Sequence, residues 1–258
     1  MKICLDAGHG EGYNQSPALP AYREGTRMFL LQRYLAQELR RYGFEVICTR
    51  KALQDDPDLL ERGSMAKGCD LLLSLHSNAV GPQKNEAVDY VRVYYPVSGA
   101  QEALAREMAD LIAAVMGTNQ APQHSQRWNS KHNADYYGII RHAVAVGTPA
   151  LLLEHSFHTN SRSTAWLLED ENLHRLAAAE AALLAEYYEM EEKTLRYELL
   201  KDIQDQIYRP VVEKLLDLGL LRGKGGCGEN TIIDLGEDAL RLLVILDRAG
   251  LFPIEKGE

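Results

Sequence analysis

The chain has 258 residues, 46% of them hydrophobic and 25% charged, an ordinary globular composition that allows one large domain and a second small one. Its net charge of −9 argues against a general nucleic-acid-binding protein, because such proteins carry a basic surface. No apolar stretch approaches the length of a membrane span, and no secretory signal pattern opens the chain, so we expect synthesis in the cytoplasm.

Short apolar runs alternate with helical patterns along the first three quarters of the chain. In order, the patterns predict a strand from residue 2, a helix over 23–41, a strand over 44–49, a helix over 59–67, a strand over 70–76, a strand over 90–95, a helix over 101–116, a strand over 150–154 and a helical stretch over 163–192. Residues 117–137 are polar and predict an irregular, functional loop. This order predicts an α/β sheet covered by helices on both faces.

The pattern changes near residue 192, which predicts a boundary between two domains, 1–191 and 192–258. In the second domain, helical patterns at 211–219 and 236–248 flank a glycine-rich turn at 223–228. We therefore expect a small helical module. About 60 residues form a marginal core, so the module is expected to dimerise or to dock on the first domain.

Three of the predicted strands end on side chains that bind metals, namely His9, His76 and Glu154, and Glu24 opens the first helix. The carboxyl ends of strands in an α/β sheet meet at one edge, where ligands bind. Two histidines and a carboxylate suit a catalytic zinc ion with an open position, and a second carboxylate can carry a proton. The pattern therefore indicates a zinc hydrolase. The alternatives are core histidines, a carboxylate at a helix start and a structural ion pair.

The same residues lie in motifs that resemble the zinc-dependent N-acetylmuramoyl-L-alanine amidases of the amidase_3 type. Over about residues 1–190 these motifs are Leu-Asp-Ala-Gly-His-Gly (5–10), Glu24, Val-Ile-Cys-Thr-Arg (46–50), Leu-Leu-Glu-Arg (59–62), Ser-Leu-His-Ser-Asn (74–78) and Leu-Glu-His-Ser-Phe-His-Thr-Asn (153–160). The resemblance implies a twisted mixed sheet with helices on both faces. It also implies that His9, Glu24 and His76 bind Zn²⁺ and that Glu154 is catalytic. Asn78, His155 and His158, in the same motifs, are candidate substrate contacts.

The implied reaction is cleavage of peptidoglycan between N-acetylmuramic acid and the L-alanine of the stem peptide. Many members carry a small residue after the catalytic glutamate, whereas this chain has His155, and the form of its motif looks more like the phage and prophage endolysin branch. We therefore expect action on the cell wall after holin-type or other release, in lysis or wall turnover. A wall-binding or homodimerising role is expected for residues 192–258. The alternatives are another zinc peptidase, such as a stem-peptide carboxypeptidase, and a non-catalytic wall-binding module.

Overall fold

The computed structural model describes residues 1–191, 196–203 and 207–252. The chain divides into two compact units, Met1–Glu192 and Lys193–Glu258. The strands of the first unit are β1 (Lys2–Ala7), β2 (Glu45–Cys48), β3 (Leu71–Asn78), β4 (Arg92–Tyr94), β5 (Gln123–Ser125) and β6 (Ala150–Phe157). Its helices are α1 (Glu24–Arg41), α2 (Leu59–Met65), α3 (Glu102–Met116), α4 (Gly138–Ala145), α5 (Ser161–Leu168) and α6 (Asp170–Tyr187).

The six strands form one mixed sheet in the order β2-β1-β3-β6-β4-β5. All neighbouring strands are parallel except β4 and β6, which are antiparallel. Because β1, β3 and β6 run in the same direction, their carboxyl ends meet at one edge of the sheet. The predicted α/β class, with a mixed sheet, is confirmed.

Helices cover both faces of this sheet, as the alternation of side chains along each strand requires. One apolar cluster joins Leu5, Leu73 and Leu153 to side chains of α1, α3 and α6. The opposite cluster joins Leu72 and Leu152 to the α4 side chains Ile139 and Ile140. Consecutive strand residues therefore belong to different layers, and this decides which side chains near the strand ends can meet.

The observed elements differ from the predicted ones in four places, the first being helix α4, which was not predicted. The helical stretch predicted over 163–192 is two helices, because the backbone at Glu169 is extended. Strand β5 lies inside the loop predicted to be irregular, since three residues are too few to show an alternating pattern. Strand β6 continues three residues past Glu154, beyond the point where its apolar run stops.

The second unit contains two helices, α7 (Tyr208–Asp217) and α8 (Glu237–Arg248), at the two predicted helical patterns. It also contains an antiparallel pair of strands, β7 (Arg196–Leu199) and β8 (Ile232–Gly236), which the helical interpretation did not include. A small apolar cluster that includes Val212, Ile233 and Leu240 holds these elements together. None of the helices in the described ranges combines the length and the apolarity that a membrane span requires.

Candidate active site

The first side of the site is the tight turn that follows β1. His9 has a φ of 60°, in the left-handed region, and a Cβ atom added at Gly8 would lie 2.1 Å from Cε1 of His76. Only glycine therefore fits between the turn and the His76 ring. The Arg62 guanidinium fixes the turn by donating hydrogen bonds to the carbonyl oxygens of Ala7 (2.6 Å) and His9 (3.0 Å).

Glu24 is the first residue of α1 and is buried. A Cβ atom at the next position, Gly25, would lie 1.7 Å from the carbonyl oxygen of Gly10, so glycine allows the helix start to pack directly on the turn after His9. The Glu24 carboxylate accepts hydrogen bonds from Nδ2 of Asn14 (2.8 Å) and from the backbone N–H of Ser77 (3.0 Å). These contacts fix its orientation towards the ends of β1 and β3.

The donor atoms of His9, Glu24 and His76 all lie within 4.8 Å of one another, and no other such metal-type cluster occurs among the residues described. Oε1 of Glu24 is 3.0 Å from Nδ1 of His76, and Oε2 is 3.5 Å from Nε2 of His9. The structure thus brings together three residues that the sequence predicted from separate strands and a helix.

Electrostatics in this cluster follow from burial and from the His76–Glu24 contact. Burial favours neutral Glu24, but the hydrogen bond and charge of His76 outweigh it and lower the pKa of Glu24 to about 2. Burial likewise opposes a charged His76, but the Glu24 carboxylate raises the pKa of His76 to about 9. Burial lowers the pKa of His9. At neutral pH, before any metal binds, His76 and Glu24 form an ion pair and His9 is neutral.

Glu154 lies on β6 directly beside His76, its paired residue on β3. Its side chain is 8% exposed, and Oε2 is buried without a hydrogen-bond partner among the described residues. Burial raises the pKa of Glu154 to about 7, while the charge of His76 acts in the opposite direction. A carboxyl group that titrates near neutral pH is suited to accept and to return a proton.

His155 points to the opposite face of the sheet, as the alternation along β6 predicts. It is fully buried, its Nδ1 lies 2.9 Å from the carbonyl oxygen of His76, and its Nε2 lies 2.8 Å from Oε1 of Glu180 on α6. Because both ring nitrogens are engaged and no surface is exposed, this position offers no contact to a substrate. We therefore interpret His155 as a support behind the His76 backbone.

His158 also lies behind the metal-type cluster. It is buried, its ring stacks on Tyr22, and its Nδ1 is 2.9 Å from Oγ of Ser77 and 3.8 Å from Oε2 of Glu24. Asn78, at the end of β3, is half-buried, and its carbonyl oxygen accepts the backbone N–H of His158 (2.8 Å). Of the three candidate substrate contacts, only Asn78 retains substantial exposed surface.

The sequence patterns did not indicate the role of Arg62, whose hydrogen bonds support the turn that carries His9. Arg62 lies within one of the quoted motifs, but nothing in its spacing indicated that it bonds to Asp6 (3.0 Å) and to the turn at His9. The buried Asp6 carboxylate also accepts hydrogen bonds from Thr49 and Ser74, both at 2.7 Å. This network joins β1, β3 and α2 beneath the metal-type cluster.

A cleft of about 710 Å³ opens against His9 and His76. The opposite side of this cleft is the start of α2, where Leu59 and Leu60 are exposed beside the carboxylates of Asp56 and Asp58. The cleft therefore gives a ligand access to the cluster, along a wall that is apolar and negatively charged.

The model of the Amidase_3 family, described as N-acetylmuramoyl-L-alanine amidase, matches residues 3–186. A comparison with curated protein sequences finds no match. Similar solved structures include the catalytic domain of CwlV, an N-acetylmuramoyl-L-alanine amidase from Bacillus (Paenibacillus) polymyxa var. colistinus, which is 22% identical over 74% of this chain and 99% of that chain, with a TM-score of 0.61. They also include an N-acetylmuramoyl-L-alanine amidase from Clostridium difficile 630 (17% identity, 73% of this chain, 96% of that chain, TM-score 0.61). A third is AmiC2 of Nostoc punctiforme (20% identity, 73% of this chain, 97% of that chain, TM-score 0.58). These structures share the fold of this chain. Because the family model covers most of the chain, the chain belongs to the N-acetylmuramoyl-L-alanine amidase family and is an enzyme of that class.

Proposed function

We propose that the chain cuts the amide bond between the lactyl group of N-acetylmuramic acid and the L-alanine of the stem peptide, with a zinc ion held by His9, Glu24 and His76. Glu154 is the proposed proton carrier. The observation that carries this proposal is the convergence of three donor atoms within 4.8 Å beside a buried carboxylate oxygen that has no protein partner among the described residues.

The donor set fits a zinc ion in both chemistry and spacing. Zinc–nitrogen and zinc–oxygen distances of about 2.0–2.2 Å place neighbouring ligand atoms of a tetrahedral site about 3.3 Å apart. The distances from the Glu24 oxygens to His76 and His9, 3.0 and 3.5 Å, lie on either side of this value. Three protein ligands leave one position for water or substrate, as in catalytic rather than structural zinc sites.

Zinc in this site would supply Lewis acidity, which makes a water molecule more acidic and an amide carbonyl more electrophilic. The protein supplies the proton transfers. Glu154, with a pKa near 7, accepts a proton from the attacking water and returns it to the departing amine of L-alanine. Arg62 and Gly8 keep the His9 turn and the His76 ring in place, so the reacting groups are positioned before substrate arrives.

Digestion of purified peptidoglycan tests this proposal. Wild-type protein with zinc is expected to release stem peptides that begin with a free L-alanine amine, which mass spectrometry identifies. Glu154→Gln and a chelator-treated sample are expected to release none, and added zinc restores only the latter. Glu107→Gln, which removes an exposed carboxylate of α3, is the matched control and is expected to behave like wild type. Release of single C-terminal residues would instead support the carboxypeptidase alternative, and intact peptidoglycan would favour a binding role.

We also propose a role in phage- or prophage-type lysis, which the motif at residues 153–160 supports. Bacteria that express the protein are expected to lyse when a permeabilising agent opens the membrane, and bacteria that express Glu154→Gln are expected to remain intact. Continued growth after permeabilisation would favour wall turnover instead.

For residues 192–258, taken as a separate C-terminal domain, we propose dimerisation. Leu242 and Ile245 on α8 are 54% and 62% exposed, and exposed apolar side chains of this size favour association. Sedimentation of the full chain should give a dimer that Leu242→Glu/Ile245→Glu converts to monomer. A monomeric wild type that sediments with peptidoglycan would favour wall binding.

A further inference from the structure

The strand beyond Glu154 adds a cation to the same face of the sheet. Arg92 on β4 is the residue paired with Glu154 in the antiparallel β4–β6 ladder. Side chains of directly opposite residues in such a ladder project to the same face, with Cβ atoms about 5 Å apart. Arg92 and Glu154 therefore project side by side at the edge that carries the metal-type cluster.

Arg92 is held in position without a carboxylate partner among the residues described. Its guanidinium carbon lies 5.2 Å and 5.7 Å from the ring centres of Tyr90 and Tyr94. It donates hydrogen bonds to Oη of Tyr94 (3.2 Å) and to Oε1 of Gln123. Its Nε is buried and has no partner in the described part of the chain. The side chain is thus an oriented, half-buried cation whose Nε–H is unsatisfied within the described part of the chain.

A second arginine extends this surface. The guanidinium carbon of Arg127 lies 3.6 Å from the ring centre of Tyr136, and Nη1 donates to Oη of Tyr137 (3.2 Å). The Tyr137 ring lies 4.5 Å from that of Tyr94, which bonds to Arg92. Arg127 is exposed and likewise makes no ion pair within the described ranges. We call the set of Arg92, Tyr94, Arg127 and Tyr137 the arginine wall.

We propose that the arginine wall binds a carboxylate of the substrate, namely the free α-carboxylate of the D-glutamate that follows L-alanine in the stem peptide. The inference rests on the proposed function. Arginine recognises carboxylates through charge-assisted, often paired hydrogen bonds, and a tyrosine-supported guanidinium is oriented for that contact before binding.

Distance and charge both favour this residue of the substrate. Strand β4 is two strands from β3, and strands lie about 4.8 Å apart, so Arg92 is roughly 10 Å from the end of the strand that carries His76. An extended peptide spans about 3.3–3.6 Å per residue, so about three residues cover this distance from backbone to backbone, and the long side chain of Arg92 brings the second residue of the stem peptide within reach. The opposite wall carries Asp56 and Asp58 and repels a carboxylate, which fixes the direction of the peptide.

Two muramyl pentapeptides that differ only at the second residue, D-glutamate or D-isoglutamine, test the proposal. The kcat/KM of the wild type is expected to be about tenfold higher for the D-glutamate substrate than for the D-isoglutamine substrate, mostly because its KM is lower. This factor corresponds to one charge-assisted hydrogen bond at a half-exposed site. Arg92→Gln should bring this ratio close to one, and Arg92→Lys should restore part of it. Arg127→Gln should also reduce the ratio. Because Arg127 is exposed, this variant tests the proposal even if the Arg92 variants do not fold. Lys131→Gln, a control that removes a cation from the same loop, should keep the wild-type ratio.

The outcomes separate the two proposals. Cleavage of both substrates with the same ratio in wild type, Arg92→Gln, Arg127→Gln and Lys131→Gln overturns the arginine wall alone. A folded wild-type protein with bound zinc that cleaves neither substrate overturns the proposed function, and the arginine wall with it.

Discussion

Replacing Glu154 with glutamine should strongly reduce activity and at the same time stabilise the protein at neutral and alkaline pH. Burial raises the pKa of Glu154 from 4.5 to about 7. At 1.36 kcal/mol per pKa unit, this shift corresponds to about 3 kcal/mol. The sign follows from linkage: the folded state binds this proton more tightly than the unfolded chain does, so stability is greatest below pH 4.5 and falls as the pH rises through 7. Glutamine carries no charge and does not incur this loss.

Urea unfolding of the metal-free proteins between pH 4.5 and 8.5 measures this effect. The free energy of unfolding of Glu154→Gln minus that of the wild type is expected to increase by about 3 kcal/mol across this range, with most of the change between pH 4.5 and 7 and a plateau above pH 7. Glu107→Gln replaces an exposed carboxylate and should show no such trend. In the zinc-loaded proteins, Glu154→Gln should lower kcat by a factor of about 10²–10⁴, the contribution typical of a general acid–base group.

The expected effects of Glu154→Gln on stability and on activity can be contradicted separately. A stability difference that stays constant with pH would show that Glu154 is not a destabilised buried carboxylate. A zinc-loaded Glu154→Gln variant that cuts peptidoglycan at the wild-type rate would remove Glu154 from the reaction.

Three further predictions follow from the same contacts. Although burial opposes it, the hydrogen bond to Glu24 raises the pKa of His76 to about 9, so zinc must displace a proton. Calorimetry in buffers of different ionisation enthalpy should detect about one released proton at pH 7, with zinc affinity rising about tenfold per pH unit up to pH 9; pH-independent affinity would contradict this. Gly8→Ala would place a Cβ atom 2.1 Å from the His76 ring and should weaken zinc binding at least tenfold in equilibrium dialysis, by displacing that ligand. Gly12→Ala, in open space at a φ of 76°, should cost only about 1 kcal/mol of stability and leave zinc binding intact. His155→Leu should destabilise the protein by roughly 3 kcal/mol in urea unfolding, because buried Glu180 loses its partner, and His155→Leu/Glu180→Leu should recover most of that loss. Additive losses in the double variant would argue against the pair.

The metal-type cluster could be predicted because its two histidines, like the neighbouring Glu154, each follow a largely apolar run. Leu71–Leu75 precede His76, and 150–153 precede Glu154, so the place where each strand reaches the edge of the sheet is visible in the sequence. Parallel pairing then brings these ends together without any knowledge of the loops. The face of His155 was also predictable, because alternation along a strand is strict.

The side chains around the cluster are positioned by contacts between segments that are distant in the sequence. Local sequence patterns do not indicate such contacts. Glu180, the partner of His155, lies in a helical pattern where a carboxylate looks like an ordinary solvent-facing charge. Arg92 reaches Glu154 only because β4 is antiparallel to β6, a choice that three residues of strand cannot reveal. The extension of β6 depends on Ser156, which has a φ of 57° and donates its hydroxyl to Asp89 (2.8 Å). A positive φ in a buried serine is set by tertiary contacts and not by local propensity.

The charges beneath the site hold its His9 side in place through contacts within the protein. Asp6 and Arg62 are both buried and bond to each other at 3.0 Å, and each satisfies its remaining groups on a different element. Removing Arg62 would leave the buried Asp6 carboxylate without a counter-charge, which costs far more than an exposed ion pair contributes. Because the same guanidinium also holds the carbonyl oxygen of His9, folding of the first unit places this ligand before zinc arrives. Contacts within the folded protein therefore contribute to the order that the proposed reaction requires at the His9 turn.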